Sequence, residues 1–249
     1  MLQHPLFDQL HALRLRGMAA ALEHQLTRPD AVDLSFEDRL ALLLQHEVHD
    51  RKAQKLGQRL RWAKLAQSAC LEDLDTKTPR GLQKIVLGQV TDLAWIRERL
   101  NVLLCGPTGV GKSWIACAIG HSVCRADHSV RFFRMPRLID ELARATAMSN
   151  RSGFFRQIAK VDLLILDDFG LAPLTEQTRR DLLEVLDDRY DKKSTLITSQ
   201  LPVEQWHAYL GDPTLADAIL DRLVHNSYRL NLTGESMRKR KTTKSATPN

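Results

Sequence analysis

Cysteine is scarce in this sequence, and no pair of cysteines has metal-binding spacing. The chain of 249 residues contains four cysteines, and no two of them are separated by only two residues. No histidine cluster lies near them at the spacing of a zinc site. Thiols of this kind stay reduced in a reducing compartment. The sequence therefore predicts packed, free thiols at Cys70, Cys105, Cys117 and Cys124.

Long apolar runs are also missing. No stretch approaches the roughly 18 consecutive apolar residues that a membrane helix needs. The first residues, MLQHPLFDQLH, do not combine a basic start with an apolar run, so no secretory signal is predicted. With 43% hydrophobic and 27% charged residues, the composition is that of a soluble globular protein. We expect a cytoplasmic protein with no membrane partner.

Acidic residues are absent from two basic segments, residues 51–64 and 238–244. The first contains six Lys or Arg residues and the second contains five. The net charge of +6 is a modest excess, which does not by itself establish nucleic-acid binding. The sequence has no zinc finger and no aromatic RNA-binding signature. The local distribution of charge is therefore more informative than its total.

The hydrophobic pattern divides the chain into four parts. Residues 1–66 carry apolar residues at helical spacing, and Ser35 is the predicted N-cap of the second helix. Residues 67–81 mix acids with Pro and Gly and are predicted to be a linker. Residues 82–238 alternate short apolar strands with helices, which indicates an α/β domain built on a parallel sheet. Residues 239–249 are predicted to be a disordered basic tail.

The run GPTGVGKS matches the phosphate-binding motif GxxxxGK[ST] in full. An apolar strand over 101–105 leads into it and a predicted helix leaves it, as phosphate binding requires. Lys112 is predicted to reach the β- and γ-phosphates, and Ser113 to place its hydroxyl on Mg²⁺. A plain glycine turn between strand and helix is the alternative. The predicted nucleotide contacts are Gly106, Pro107, Thr108, Gly109, Val110, Gly111, Lys112, Ser113 and Trp114.

Two acids follow the aliphatic run of the strand predicted over 161–168. The carboxyl ends of parallel strands are where nucleotides bind, so these acids are expected at the phosphate site. Asp167 is predicted to hold Mg²⁺ through water, and Asp168 to orient or deprotonate the attacking water. Paired acids that merely begin a loop are the alternative. The next strand ends in Thr198, Ser199 and Gln200, of which Ser199 is the predicted polar catalytic side chain.

The order of motifs GPTGVGKS, LLILDDFGLAPL, ITSQLP, ADAILDRLVH and GESMRK resembles the IstB-like transposition helpers. These are AAA+ ATPases related to the DnaC-type helicase loaders and to DnaA. The N-terminal segments LRGMAAAL and LSFEDRLALLLQHE also resemble this family, so the resemblance covers essentially the whole chain. It implies an α/β P-loop AAA+ core with a parallel sheet and flanking helices, preceded by a small all-helical N-terminal domain.

The resemblance implies roles for two arginines. Arg222 matches the position of the AAA+ arginine finger, which acts in a neighbouring subunit's site on the γ-phosphate. Arg238 matches the sensor arginine that contacts the nucleotide of its own subunit. From the residues alone, the first would be a surface helix residue and the second part of a solvated tail. The pair Asp167-Asp168 departs from the Asp-Glu of many AAA+ proteins, which favours slower hydrolysis.

Members of the family bind DNA with little sequence preference, and two segments could do so here. Arg51, Lys55 and Arg59 lie four residues apart on one predicted helix face, where they would hold phosphates without reading bases. A solvated helix face is the alternative. A second segment, 144–160, carries basic residues and no acid, and in related ring ATPases this region faces the central channel. Arg151 and Arg156 are the predicted contacts there.

The resemblance and the site together predict a Mg²⁺-dependent ATPase that assists a transposase. ATP would drive self-assembly into a homo-oligomer on double-stranded DNA, and hydrolysis would reset the assembly. The alternative is a DnaC-like replicative helicase loader, which would share the ATPase core and differ in its partner. A scaffold that binds ATP without hydrolysis and a small-molecule P-loop kinase are further alternatives. The acid pair disfavours the scaffold, and the basic runs disfavour the kinase.

Overall fold

The structure, a computed structural model, describes residues 5–28 and 33–237. The chain divides into two compact units, Met1–Gln58 and Arg59–Asn249. None of the helices in the described ranges combines the length and the apolar character that crossing a bilayer requires.

The first unit consists of helices, as the sequence predicts. Its helices are α1 (Pro5–Ala12), α2 (Arg16–Thr27) and most of α3 (Phe36–Ala63). The predicted cap is confirmed: the Ser35 hydroxyl accepts a hydrogen bond from the Asp38 N–H at 3.1 Å and donates to its carboxylate at 2.7 Å. The buried Glu47 of α3 accepts the N–H of Met18 at 3.1 Å, in the first turn of α2. The carboxylate accepts from an N–H group that has no partner within the helix, and its negative charge interacts favourably with the positive end of the helix dipole.

Gly17 allows α2 and α3 to approach closely. A Cβ at this position would lie 2.7 Å from the Cα of Glu47 and 2.8 Å from the carbonyl oxygen of His46. Both obstacles are backbone atoms, so the two helices would have to separate. The glycine of the LRGMAAAL segment is therefore required by packing.

We expect Gly17→Ala to destabilise the protein by about 1–3 kcal/mol, the usual cost of overpacking a close contact. The matched control is Gly88→Ala, since a Cβ at Gly88 would meet nothing within 4 Å and the residue lies inside a helix. That control should be neutral or stabilising by up to about 1 kcal/mol. Urea unfolding followed by circular dichroism measures both, and equal effects would contradict the packing role of Gly17.

The second unit is built on a five-stranded parallel sheet in the order β2-β3-β4-β1-β5. The strands are β1 (Asn101–Cys105), β2 (Val130–Arg134), β3 (Leu163–Phe169), β4 (Ser194–Ser199) and β5 (Ser227–Asn231). β1 and β4 are buried throughout, and the other central strand, β3, is buried at every residue except Asp168. Continuous aliphatic runs suit strands covered on both faces. The predicted α/β domain with a parallel sheet and flanking helices is confirmed.

Helices cover the sheet. They are α4 (Lys84–Thr91), α5 (Ala94–Arg97), α6 (Lys112–Arg125), α7 (Met135–Ala147), α8 (Arg151–Lys160), α9 (Glu176–Arg189), α10 (Trp206–Leu210) and α11 (Pro213–Val224). The Thr175 hydroxyl caps α9 by accepting the N–H of Thr178. Because all five strands are parallel, their carboxyl ends meet at one edge of the sheet, which places β1, β3 and β4 side by side at the site.

The structure differs from the sequence-based division between residues 59 and 81. The end of α3 belongs to the second unit: Arg131 donates to the carbonyl of Trp62 at 2.7 Å and lies over its ring, and Ala63 is fully buried. The segment 67–81, predicted as a linker, contains a 3₁₀ turn at Leu71–Asp73, and its Glu72 pairs with Arg125 of α6. This segment packs on the rest of the second unit, because its polar groups find partners there.

Three of the four cysteines are packed, as predicted. Cys105, Cys117 and Cys124 are buried, while Cys70 is partly exposed. Burial raises the pKa of Cys105 and of Cys124 to about 11. These two thiols therefore stay protonated at neutral pH and are unreactive.

Candidate nucleotide site

The run Gly106–Ser113 forms the loop between β1 and α6 together with the first two residues of that helix. Gly109 has φ +87°, a left-handed conformation that side chains rarely adopt. A Cβ on Gly109 would collide with the side chain of Ser236, and one on Gly106 would collide with the carbonyl oxygen of Leu232. The loop glycines are therefore needed twice, for the turn of the backbone and for the close approach of the C-terminal segment. Only the first reason is visible in the sequence motif.

Lys112 lies over the loop from the first turn of α6. Its ammonium group donates to the carbonyl oxygens of Gly106 at 2.7 Å and Pro107 at 2.9 Å. The residue is 7% exposed, and desolvation lowers the pKa of its side chain, with Asp168 and Asp167 opposing the shift. A buried ammonium group held by neutral carbonyls would gain from phosphate oxygens, because hydrogen bonds between charged partners are stronger.

Ser113 and Asp167 are brought together, as the motifs predict. The Asp167 carboxylate at the end of β3 is fully buried, and its Oδ1 accepts hydrogen bonds from Ser113 Oγ at 2.8 Å and Thr198 Oγ1 at 2.6 Å. Its Oδ2 is buried, and no donor among residues 5–28 and 33–237 forms a hydrogen bond with it. A buried carboxylate oxygen that lacks a donor, beside a serine hydroxyl, suits a hard cation such as Mg²⁺.

The donor set fits magnesium better than a metal held by protein alone. Within the described ranges, no group of three or more His, Cys, Asp or Glu side chains could hold a metal. Mg²⁺ in nucleotide sites is typically bound by one or two protein oxygens, with waters and phosphate oxygens completing the octahedron. Ser113 and Asp167 would hold the ion in this way. The sequence did not point to Arg134, whose Nε lies 3.8 Å from Asp167 Oδ2.

Asp168 occupies a bulge in β3. The register between β3 and β4 shifts between Leu166 and Phe169, and Asp168 has φ +63°. Its N–H donates to Thr198 Oγ1 at 3.1 Å, and the residue lines the cavity beside Lys112. A bulge redirects side chains, so two successive acids both reach the site instead of pointing to opposite faces of the sheet. The strained backbone at Asp168 is held by a side chain of the neighbouring strand.

At the end of β4, the polar residue that contacts the acids is not the predicted Ser199 but its neighbour Thr198. Ser199, the predicted catalytic side chain, donates to the carbonyl of Phe169 at 2.7 Å and accepts the N–H of Leu201 at 3.1 Å. These bonds hold the turn after the strand and leave Ser199 outside the lining of the cavity. Thr198 contacts both acids instead, and Gln200 lines the cavity and accepts a hydrogen bond from Thr108 at 2.7 Å. The bulge decides which of the three faces the acids.

A cavity of about 500 Å³ opens beside the loop. Its lining includes residues of the phosphate motif and of four other parts of the chain. The motif and the start of α6 contribute Thr108, Gly109, Gly111, Lys112, Ser113 and Trp114. The others are Gln67, Ser68, Asp73, Asp75 and Arg80 from segment 67–81, and the single residues Asp168, Gln200 and Met237. Segment 67–81 was predicted to be a linker. No motif marks Arg80 or Asp75, so their place in the site could not have been found from the sequence.

The C-terminal segment Leu232–Met237 lies on the loop. Leu232 N–H donates to the carbonyl of Cys105 at 2.7 Å, and Met237 N–H donates to that of Gly109 at 2.9 Å. The GESM motif therefore belongs to the nucleotide site. Arg238, the predicted sensor arginine, lies outside the described residues.

Arg222 lies at the opposite edge of the sheet from the phosphate loop. Its backbone carbonyl accepts a hydrogen bond from Asn101, the first residue of β1, at 2.9 Å, whereas the loop follows the last residue of that strand. A five-residue strand separates the two by roughly 15 Å. The guanidinium donates to Asp187 at 2.7 Å. Arg222 is therefore not part of the site in its own chain.

The five predicted DNA contacts differ in their surroundings. Three arginines are held in ion pairs: Arg51 with Glu47 at 2.7 Å, Arg59 with Asp127 at 2.7 Å, and Arg151 with Asp181 at 2.8 Å. Arg151 also pairs with Glu184 and lies over the ring of Phe155. Lys55 and Arg156 are exposed, with no ion pair in the part of the chain that the structure describes. A paired guanidinium has less charge to offer to phosphate, so the structure weakens the expectation for the three arginines.

Comparison with known proteins agrees with this geometry. Residues 8–245 match the family described as IstB-like ATP binding protein. An insertion-sequence ATP-binding protein of Sinorhizobium fredii is 49% identical over 245 residues, covering 98% of this chain and all of the relative. An insertion sequence IS1162 ATP-binding protein of Pseudomonas fluorescens is 51% identical over 203 residues, covering 81% of this chain and 87% of the relative.

Two solved structures share the fold. The crystal structure of DnaI has a TM-score of 0.59 at 22% identity, covering 66% of this chain and 91% of that one. A replication initiator DnaA, bound to AMPPCP and single-stranded DNA, has a TM-score of 0.58 at 16% identity, covering 73% of this chain and 56% of that one. The chain belongs to the IstB-like ATP-binding protein family.

Proposed function

We propose that this protein hydrolyses ATP with Mg²⁺ at the cavity beside Gly106–Ser113. The observation that carries the proposal is the buried Asp167, whose Oδ1 is fixed by Ser113 and Thr198 while its Oδ2 has no hydrogen bond from any described residue. A carboxylate oriented this way is ready for a metal, and the neighbouring Asp168 supplies a second one. A protein that used ATP only as structural glue would not need the second acid in a strained conformation.

The residues of the chain have distinct roles in this reaction. Lys112 contacts the β- and γ-phosphates, and the loop amides and Trp114 contribute the remaining nucleotide contacts. Bound Mg²⁺ would neutralise phosphate charge as the transferred group leaves. Asp168 orients the attacking water and accepts its proton. We propose Thr198 and Gln200, and no longer Ser199, as the polar residues at the end of β4 that position these groups.

Two arginines extend the site beyond the described cavity. We propose that Arg238 contacts the nucleotide of its own subunit, the role that the family resemblance implies. Arg222 contacts the γ-phosphate of a neighbouring subunit, because its distance from its own phosphate loop rules out action there. The protein therefore assembles head to tail into an oligomer, and ATP at each junction favours the assembly.

The partners are duplex DNA and a transposase, in the cytoplasm. Relatives are named for insertion sequences, and the chain carries a net charge of +6 with exposed cations such as Lys55 and Arg156. Contacts made through phosphates would be largely independent of sequence. ATP-bound subunits would assemble on target DNA for the transposase, and hydrolysis would release them. With a replicative helicase as partner, the same cycle would load that helicase instead.

A phosphate-release assay with ATP and duplex DNA tests the proposal. We expect release that requires Mg²⁺ and stops with EDTA, and electron micrographs with a slowly hydrolysed ATP analogue should show oligomers on the duplex. ATP binding without phosphate release under any of these conditions would reject hydrolysis. A pull-down with the tagged protein decides the partner: recovery of a replicative helicase instead of the transposase would reject the role in transposition.

A further inference from the structure

Arg80 is a buried arginine fixed by a compact turn. The Asp75 carboxylate accepts the N–H groups of Lys77 at 3.0 Å and Thr78 at 3.1 Å, and the Thr78 hydroxyl at 2.6 Å. This Asx-type turn presents the carbonyl of Asp75 to Arg80 Nη2 at 2.8 Å. Arg80 is 5% exposed, and its buried Nε has no hydrogen-bond partner in the part of the chain that the structure describes. Burying a charged group with an unpaired donor costs free energy, so this position calls for a functional reason.

The guanidinium is attached to the phosphate loop from outside. Arg80 Nη1 donates to the carbonyl oxygen of Val110 at 3.0 Å. In a planar trans peptide the C=O of one residue and the N–H of the next point in opposite directions. The bond to Val110 therefore fixes the direction of the Gly111 N–H, away from Arg80. The bond from Met237 N–H to the Gly109 carbonyl fixes the Val110 N–H in the same way.

Arg80 also lies close to Gly111 of the loop. A Cβ on Gly111 would lie 2.8 Å from Arg80 Nη1, and both residues line the cavity. Desolvation lowers the pKa of Arg80, and the nearby Asp75 opposes the shift. An arginine remains charged at neutral pH despite such a shift. A fixed positive charge thus lies beside the backbone that would face the phosphates.

We propose that Arg80 is a positioning residue for phosphate binding, which holds the Val110–Gly111 peptide with its N–H directed into the nucleotide cavity. The inference rests on the proposed nucleotide site and adds a residue from a segment without any phosphate motif. The oriented amide contacts phosphate and not base or ribose. Loss of Arg80 therefore weakens the binding of every ligand that carries the phosphate chain. ATP, ADP and inorganic tripolyphosphate are affected by similar factors.

Arg80→Met tests this by removing the donors while keeping an aliphatic side chain. Affinities for ATP, ADP and tripolyphosphate are measured by competition against a fluorescent nucleotide in the full-length protein. We expect each dissociation constant to rise about tenfold or more, as for the loss of a hydrogen bond to a charged group. Arg80→Lys, which keeps the charge and one donor, should show a smaller rise that is again equal for the three ligands.

Arg179→Met is the matched control. Arg179 also donates through Nη1 to a backbone carbonyl, that of Leu174, at 2.8 Å. Its Nε is likewise buried, with no hydrogen bond from it to a described residue. Arg179 lies on α9, however, outside the lining of the cavity. Its three affinities should equal those of the unmodified protein. If Arg80→Met fails to fold, as shown by circular dichroism, the result for Arg80→Lys decides.

The pattern of losses separates the possible outcomes. Weaker ATP and ADP binding with unchanged tripolyphosphate binding would place Arg80 against the base or ribose and overturn the inference. Unchanged affinities in a folded Arg80 variant would also overturn it. If the unmodified protein bound none of the three ligands, the proposed function itself would fail. The unmodified protein would then give the same result as Lys112→Ala, which is measured in parallel.

Discussion

Lys112→Ala is expected to reduce ATP hydrolysis by at least about a hundredfold, comparable to the loss of one transition-state donor. The effect is large because Lys112 supplies a buried ammonium group at the loop, which donates to the carbonyls of Gly106 and Pro107. Its removal deletes the charge that compensates the β- and γ-phosphates. ATP-dependent assembly on DNA should be lost together with hydrolysis, because both depend on the bound triphosphate.

Phosphate release and DNA gel shifts with the ATP analogue measure the two consequences. Lys84→Ala serves as the control, since Lys84 is an exposed lysine at the start of α4 outside the cavity lining. It should leave both properties unchanged. Retention of ATP-dependent DNA binding by Lys112→Ala would contradict the assignment of the nucleotide to this loop.

Mixing Arg222→Ala protein with Asp168→Asn protein is expected to restore hydrolysis that neither has alone. Arg222→Ala alone should lower the rate of ATP hydrolysis about a thousandfold or more, as for other arginine fingers. Asp168→Asn alone should lower this rate by a comparable factor, because it lacks the water-positioning acid. In a head-to-tail assembly of an equal mixture, about a quarter of the junctions combine an intact Asp168 with an intact Arg222. Recovery should therefore approach a quarter of the unmodified rate.

The physical basis is the position of Arg222 beside the first residue of β1, at the edge of the sheet opposite the loop. Its ion pair with Asp187 is partly exposed, so Arg222→Ala should change stability little. The control mixture is Asp168→Asn with Lys112→Ala, two defects of the same site, which should not recover. Equal failure of both mixtures would reject action of Arg222 in a neighbouring subunit.

Much of the second unit could be predicted from local sequence. The run 101–105 is β1 to the residue, and the acid-ended strand predicted over 161–168 corresponds to β3 at Leu163–Phe169. Short aliphatic runs of this length are typical of strands in a parallel sheet that is covered on both faces. The spacing GxxxxGKS fixes the loop and the start of α6, since few other sequences allow that turn.

Long-range contacts decided the rest. Ser199 and Thr198 are indistinguishable by sequence, and a bulge set by the pairing of β3 with β4 turns Thr198 toward the acids. Arg151 belongs to a segment without acids, yet α9 supplies Asp181 and Glu184 to pair with it. Both outcomes depend on residues about 30 positions away, which no local pattern reveals.

The sequence alone thus determined the chemistry that is available: the phosphate loop, its lysine, the two acids and the order of strands that carry them. These follow from local rules of backbone conformation and apolar burial. The tertiary structure alone decided which polar groups reach that chemistry, bringing Arg80 and Met237 onto the loop and leaving Arg222 at the far edge. The physical reason is that hydrogen-bond direction and strand register are set by partners distant in the chain.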